Sequence, residues 1–158
     1  MPRGLSALQK RILAEALERR RSRNLDTERA EGVRLMARHG LGPDAYKAAP
    51  DVYYAELLAS VWGFPTTQLL PAERAARFGE NQTPPRWGGQ YFDRAAIGPE
   101  TYNKATTTLW RAVKRLEGRG LVVRAFHGKT GVLLTDEGLR VAGELSVERV
   151  SRWRGYNR

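Results

Sequence analysis

The sequence predicts a mainly α-helical protein with a small β-hairpin, and three observations carry that expectation. Apolar residues recur at three- and four-residue spacing along most of the 158-residue chain, with capping residues and glycines at the ends of these stretches. Two short apolar runs break that period, Leu121-Val122-Val123-Arg124-Ala125-Phe126 and Val132-Leu133-Leu134-Thr135. The glycine-bearing loop His127-Gly128-Lys129-Thr130-Gly131 separates them, which is the pattern of a hairpin. A content of 41% hydrophobic and 28% charged residues argues for a folded protein and against disorder. The length suits one domain with a sizeable core, with room for appended helices.

Taken in order, Ser6 with Gln9 three residues on forms a capping-box pattern and opens a helix that runs to about residue 20. Its apolar stripe is Leu5, Leu8, Ile12, Leu13, Ala16 and Leu17. It ends in Arg19-Arg20-Arg21-Ser22-Arg23, a cluster suited either to phosphate or to the negative end of the helix dipole. A second helix is expected from Asp26, as N-cap, to Arg38 or His39, stopped by Gly40; its apolar positions are sparse. Residues 40–50 read as a connection with a short helical turn inside 44–49.

The next helix is expected from about Asp51, as cap, to Trp62, with Tyr54, Leu57, Leu58, Val61 and Trp62 on one face and Gly63 as its stop. Its aromatics, with Tyr53 and Phe64, read as core. Residues 65–98 form an insertion, too long for an ordinary connection. Within it, residues 71–78 suit a short helix with Pro71 in the first turn. Residues 80–90 are dominated by breakers, and 90–97 is open between a helical turn and an extended piece. Trp87 suits a contact residue or an anchor for its loop.

From Gly98-Pro99 to Glu117 the helical period returns. Tyr102, Ala105, Leu109, Ala112, Val113 and Leu116 fall on one face. The other face collects Asn103, Lys104, Thr107, Arg111 and Lys114, with Thr108 and Arg115 at its edge, and from Asn103 onward no carboxylate interrupts it until Glu117. After the hairpin, Thr135 or Asp136 caps a last helix carrying Leu139, Ala142, Leu145 and Val150, with Gly143 inside the pattern. The end of the chain carries Arg149, Arg152, Arg154 and Arg158 beside Trp153 and Tyr156, open between phosphate or partner contact and a frayed terminus. The implied organisation is an N-terminal helical extension over 1–50, a central domain over 51–145 with the insert at about 65–98, and a basic tail over 146–158.

Charge bounds the partners. The net charge of +10 favours polyanions, through attraction and through release of their condensed counterions. It is unevenly placed, at +5 over residues 1–50, −2 over 51–100 and +7 over 101–158, so the basic two-faced helix lies in the most basic third. Without cysteine there is no disulfide or thiolate chemistry, which fits a reducing interior. No apolar stretch has the length of a signal peptide or membrane span, so a cytoplasmic location and no membrane contact are expected.

Catalysis is not expected. His39 and His127 lack metal-ligand spacing, and no cofactor or metal is expected. Gly128-Lys129-Thr130 lacks the upstream glycine and following helix of a phosphate-binding loop, and Trp87-Gly88-Gly89 is no dinucleotide fingerprint.

The stretch from Leu109 through Arg115-Leu116-Glu117-Gly118-Arg119-Gly120-Leu121-Val122-Val123-Arg124, followed by Leu134-Thr135-Asp136-Glu137-Gly138, resembles the winged helix-turn-helix domain of bacterial and archaeal regulators, closest to the MarR- and PadR-like group. The resemblance covers about residues 101–140 and, more weakly, 51–62. It implies a winged helix-turn-helix fold with N- and C-terminal helical extensions, a recognition helix at about 99–117 and a wing at about 121–135. Residue by residue it places Lys104, Thr107, Thr108, Arg111 and Lys114 toward a DNA groove and Lys129 at the wing tip. Asn103 and Arg115 join them from the helical period.

The function so implied is sequence-specific binding of double-stranded DNA as a transcriptional regulator, with a homodimer paired through the first and last helices. Two other readings stand beside it. One is a DNA-binding role in replication, partition or packaging of a plasmid, virus or chromosome; the other is a protein-interaction module. One departure is plain: the family joins its second and third helices by a short turn, whereas some 35 residues separate Gly63 from Pro99 here. The operator and any small-molecule effector are not legible.

Overall fold

The computed structural model describes residues 4–68, 90–127 and 129–156. The chain begins with α1 (Ala7–Arg21) and α2 (Leu25–Arg38), followed by a 3-10 turn at Pro43–Ala45. Next come the two-residue strand β1 (Val52–Tyr53), α3 (Tyr54–Trp62), β2 (Thr66–Gln68), β3 (Gln90–Phe92) and the single turn α4 (Arg94–Ile97). Then follow the long α5 (Pro99–Gly118), β4 (Val122–Phe126), β5 (Thr130–Leu134) and α6 (Asp136–Tyr156). The fold is thus mainly helical with a small antiparallel sheet. The sheet has three strands in the order β1-β5-β4, one more than the expected hairpin.

Local chemistry accounts for most boundaries. The Ser6 hydroxyl accepts from the Gln9 amide at 3.2 Å while the Gln9 side chain accepts from the Ser6 amide at 2.8 Å, so the capping box of α1 is closed. In α2 the cap is Asn24 rather than Asp26, its side chain accepting from the Thr27 amide at 3.1 Å; Asp26 sits in the first turn, where the helix dipole favours it. Gly40 and Gly63 take positive φ values of 73° and 66° after α2 and α3, as helix stops require.

Asp51 does not cap α3. Helix α3 starts three residues later, where the Glu56 carboxylate accepts from the Tyr53 amide at 3.0 Å. Asp51 is instead buried at 4% exposure and accepts from Arg20 Nε and Arg23 Nη1, each at 2.6 Å, and from the Leu134 amide at 2.8 Å. Arg23 also holds Glu28, and Arg19 pairs with Glu56. The arginine cluster at the end of α1 is therefore largely committed inside the molecule. Arg20 and Arg23 clamp α1 to the residues before β1, to β5 and to the start of α2, Arg19 reaches α3, and Arg21 stays exposed with no described ion pair.

One core unites the elements. Ile12, Leu13 and Ala16 of α1 are fully buried in the same cluster as Leu57 and Leu58 of α3 and Leu109, Val113 and Leu116 of α5. Val52, Val122, Val132 and Leu134 enter it from the sheet, and Val141 and Ala142 from α6. Helix α1, expected in an N-terminal extension, thus contributes to the central core, and it packs on α6. Its apolar stripe is consumed within its own chain rather than left for pairing with a second copy. Helix α2, by contrast, has no buried residue.

The expected insertion is closed at its base. Strands β2 and β3 pair antiparallel, Thr66 with Phe92 and Gln68 with Gln90. Phe92 meets Phe64 edge-on at 6.3 Å and Tyr102 at 5.9 Å, which ties this base to the end of α3 and the start of α5. Residues 90–97 divide into a strand and a helical turn, and Asp93 caps the turn. The expected short helix at 71–78 and Trp87 lie outside the described residues. The expected basic tail continues α6 as helix through Tyr156.

The junction at Leu134-Thr135-Asp136-Glu137-Gly138 has a physical explanation. The Thr135 hydroxyl donates to the Gly120 carbonyl at 2.6 Å and accepts from the Gly138 amide at 3.0 Å, so one side chain caps α6 and holds the start of β4. A Cβ at Gly138 would overlap the Leu121 carbonyl oxygen, a backbone atom that cannot swing aside. Gly138→Ala is therefore expected to cost about 3 kcal/mol, the upper end of overpacking effects, and urea denaturation checks it. A cost below about 0.5 kcal/mol would show that the α6 start shifts freely.

Candidate nucleic-acid interface

Helix α5 positions the candidate site. Pro99 at its first position has a preset φ, and Gly98 before it takes a φ of 98°, outside the comfortable range of other residues. Ala105, Leu109, Ala112, Val113 and Leu116 are buried, which locks the rotation of the helix about its axis. The opposite face is fixed by the same packing. Asn103, Lys104, Thr107, Thr108, Arg111, Lys114 and Arg115 are all exposed, so every α5 residue singled out from the sequence lies outside the core.

The electrostatics of that face differ from those elsewhere. Arg11, Arg19, Arg20, Arg23, Arg124 and Arg140 each hold a carboxylate. Among the described residues, Lys104, Arg111, Lys114 and Arg115 have no ion pair. Arg111 and Arg115 are one helical turn apart, and like charges at that spacing cost a helix about 0.2–0.5 kcal/mol. The face gains nothing internally from this clustering. Lys114 instead lies over the ring of Trp110 at 4.9 Å, holding that half-exposed indole against the helix. The Thr108 hydroxyl donates back to the Lys104 carbonyl at 2.8 Å, which commits its proton and leaves its oxygen able to accept.

Glu117 closes the cationic run. It takes Arg124 of β4 through two hydrogen bonds of 2.8 and 3.3 Å, which hold its carboxyl below the usual range and join the end of α5 to the hairpin. Glu100 opens the same helix with a carboxylate. It is exposed in the first turn and shares a face with Lys104, Thr107 and Arg111 at helical spacing, although the dipole favours it there.

The hairpin is in register from Val122 opposite Leu134 to Phe126 opposite Thr130, and beyond it the His127 amide donates to the Lys129 carbonyl at 3.0 Å. Lys129 is brought to this end of the hairpin as expected, but it does not project freely. Burial pushes its ammonium down to about 8, partly offset by Glu56. Phe126, at 68% exposure, is the most exposed large hydrophobic residue described, and Val123 on the same strand is 44% exposed. Sequence reasoning missed both, because an apolar run gives no sign of where the core ends beneath a hairpin.

Among the described residues no group of His, Asp or Glu is placed to hold a metal, and no helix is long and apolar enough to cross a membrane. No protein-family model matches the chain, and neither a curated protein nor a solved structure is significantly similar to it.

Proposed function

We propose that this protein is a winged helix-turn-helix DNA-binding protein acting as a transcriptional regulator, with α5 in the major groove and the β4–β5 hairpin on the backbone or minor groove. The observation that carries the reading is the division of α5. One face is locked in the core, and the other gathers cations with no described ion pair beside an antiparallel hairpin. The short strand β1 laid on β5 ahead of α3 supports the winged arrangement. A helix of 20 residues is about 30 Å long and fits a major groove about 12 Å wide. Arg111 bridges two acceptors of guanine, Thr107 and Thr108 meet bases or phosphates, and Lys104, Lys114 and Arg115 neutralise phosphate.

The depressed Lys129 ammonium has a consequence for pH. At pH 7 it is mostly charged and contributes one phosphate contact; at pH 9 it is mostly neutral. DNA affinity is therefore expected to fall between pH 7 and 9, with the salt slope smaller by about one, and Lys129→Met removes this dependence. Anisotropy titrations with a short duplex check it. Stability moves the other way, because the folded state holds this proton less tightly than the unfolded chain. The burial penalty is present in full below about pH 8 and fades as pH rises toward 10.5, the ordinary value for lysine.

The deciding experiment is selection of bound sites from a random DNA pool. An enriched motif with two-fold symmetry over about two helical turns supports regulation by a homodimer. Cooperative spreading without a motif favours the role in replication, partition or packaging. DNA affinity unchanged between low and high salt removes both and leaves the protein-interaction module.

A further inference from the structure

Away from α5, an open cleft of about 570 Å³ lies between the end of α1, the inner side of α2, the residues before β1 and the hairpin turn. Two observations set it apart. Helix α2 has no buried residue, and Leu35, which it turns toward the cleft, is 49% exposed. That helix is nonetheless held in place. Arg23 grips Glu28, the Arg29 guanidinium lies over the Tyr46 ring at 5.9 Å, and at Gly32 the backbone comes so close to that ring that a Cβ would overlap it. The helix is thus anchored at the edge of a space it does not fill.

The charges lining the cleft are mostly cancelled. Arg19 is paired with Glu56, Arg23 with Glu28 and Asp51, and Asp51 also with Arg20. Glu31 remains, an exposed carboxylate with no described partner, and His127 lies in the hairpin turn. The other walls are the side chains of Leu35, Tyr46, Ala49 and Pro50 with the ring of Tyr53. An apolar wall with two tyrosines and one uncompensated carboxylate suits an organic cation with a hydrophobic body: the wall covers the body and the carboxylate fixes the position of the charge.

We propose that this cleft binds a small amphipathic organic amine, and that the bound amine bridges α2 and the β4–β5 turn and so alters DNA affinity; the second half rests on the DNA-binding reading. A ligand seated there completes the burial of Leu35 and Tyr46 and touches the turn that carries His127 and Lys129.

The test uses the full chain and 2-phenylethylamine, with 2-phenylethanol and phenylacetate as neutral and anionic counterparts, followed by amide chemical shifts. Saturable binding of the amine is expected to perturb Gly32, Leu35 and His127, with the alcohol at least about tenfold weaker and phenylacetate weaker still. Glu31→Gln, a surface change that leaves the fold intact, raises the amine Kd by at least about tenfold, which is about 1.4 kcal/mol. Equal binding of phenylacetate, an unchanged Kd in Glu31→Gln, or perturbations confined to other residues overturns the site. These titrations contain no DNA, so they stand whatever the DNA reading does. With duplex added, saturating amine is expected to change DNA affinity at least about threefold, and the amine concentration that gives half of this change is at least about tenfold higher in Glu31→Gln than in the wild type. An unchanged DNA affinity overturns the coupling.

Discussion

Asp51→Ala lowers the stability of the protein by about 3–5 kcal/mol, the largest effect expected of any single substitution outside the apolar core. The carboxylate is fully shielded from solvent, and the side chains of Arg20 and Arg23 that hold it are only 16% and 13% exposed. Removing it leaves two partly buried guanidinium groups without their shared counter-charge and the Leu134 amide without an acceptor. Arg20 keeps the Leu134 carbonyl at 3.1 Å, and Arg23 keeps Glu28 with the Pro50 and Ala49 carbonyls, so the loss is partial. Asp51→Asn preserves an acceptor but not the charge, and falls between alanine and wild type. An exposed pair provides the contrast. Arg11 and Glu15 meet at 3.2 Å on the outside of α1, and Arg11→Ala costs under about 1 kcal/mol. Urea denaturation of the three variants checks the order. A loss below 1 kcal/mol for Asp51→Ala would mean that the cluster adds little beyond its surroundings.

That network also marks the boundary of what the sequence makes legible. Helices α1, α5 and α6 and the β4–β5 hairpin are written in local signals: a capping box, a 3.6-residue period, a proline at a first turn, a glycine loop between β-forming runs. Each acts within about seven residues and survives without knowledge of the rest. Strand β1 carries no such signal. Val52 and Tyr53 are extended because Val132 and Gly131 lie opposite them, some 80 residues away. Asp51 looks like a helix cap for the same reason, since its partners come from α1 and β5. The arginines after Glu18 offer a cationic surface in the sequence and a set of internal clamps in the structure. On the candidate site the division is similar. The helical period alone places Lys104, Thr107, Arg111 and Lys114 outward, whereas the partial burial of Lys129 and the exposure of Phe126 depend on how far the hairpin extends past the core.

On the proposed DNA-binding reading, Arg111→Ala is expected to cost about 1–3 kcal/mol of affinity for one preferred DNA sequence and to relax the choice at that position, while random DNA loses much less. The side chain sits midway along the exposed face of α5, between Lys104 and Thr108 toward one end and Lys114 and Arg115 toward the other, with no described carboxylate to compete for it. It is therefore available for a bidentate contact at no internal cost, and that contact is the one that discriminates between bases. Lys104→Ala provides the opposite pattern: a uniform loss on all duplexes and a salt slope reduced by about one, as for a phosphate contact. Neither change disturbs the fold, because both side chains are exposed; relief of the Arg111–Arg115 repulsion leaves the Arg111 variant as stable as wild type or slightly more so. Melting curves and titrations against the selected site and a scrambled duplex separate the two residues. Equal losses on both duplexes for Arg111→Ala would reduce this arginine to one more phosphate contact and move base reading elsewhere on α5, to Asn103 or the outward-facing threonines.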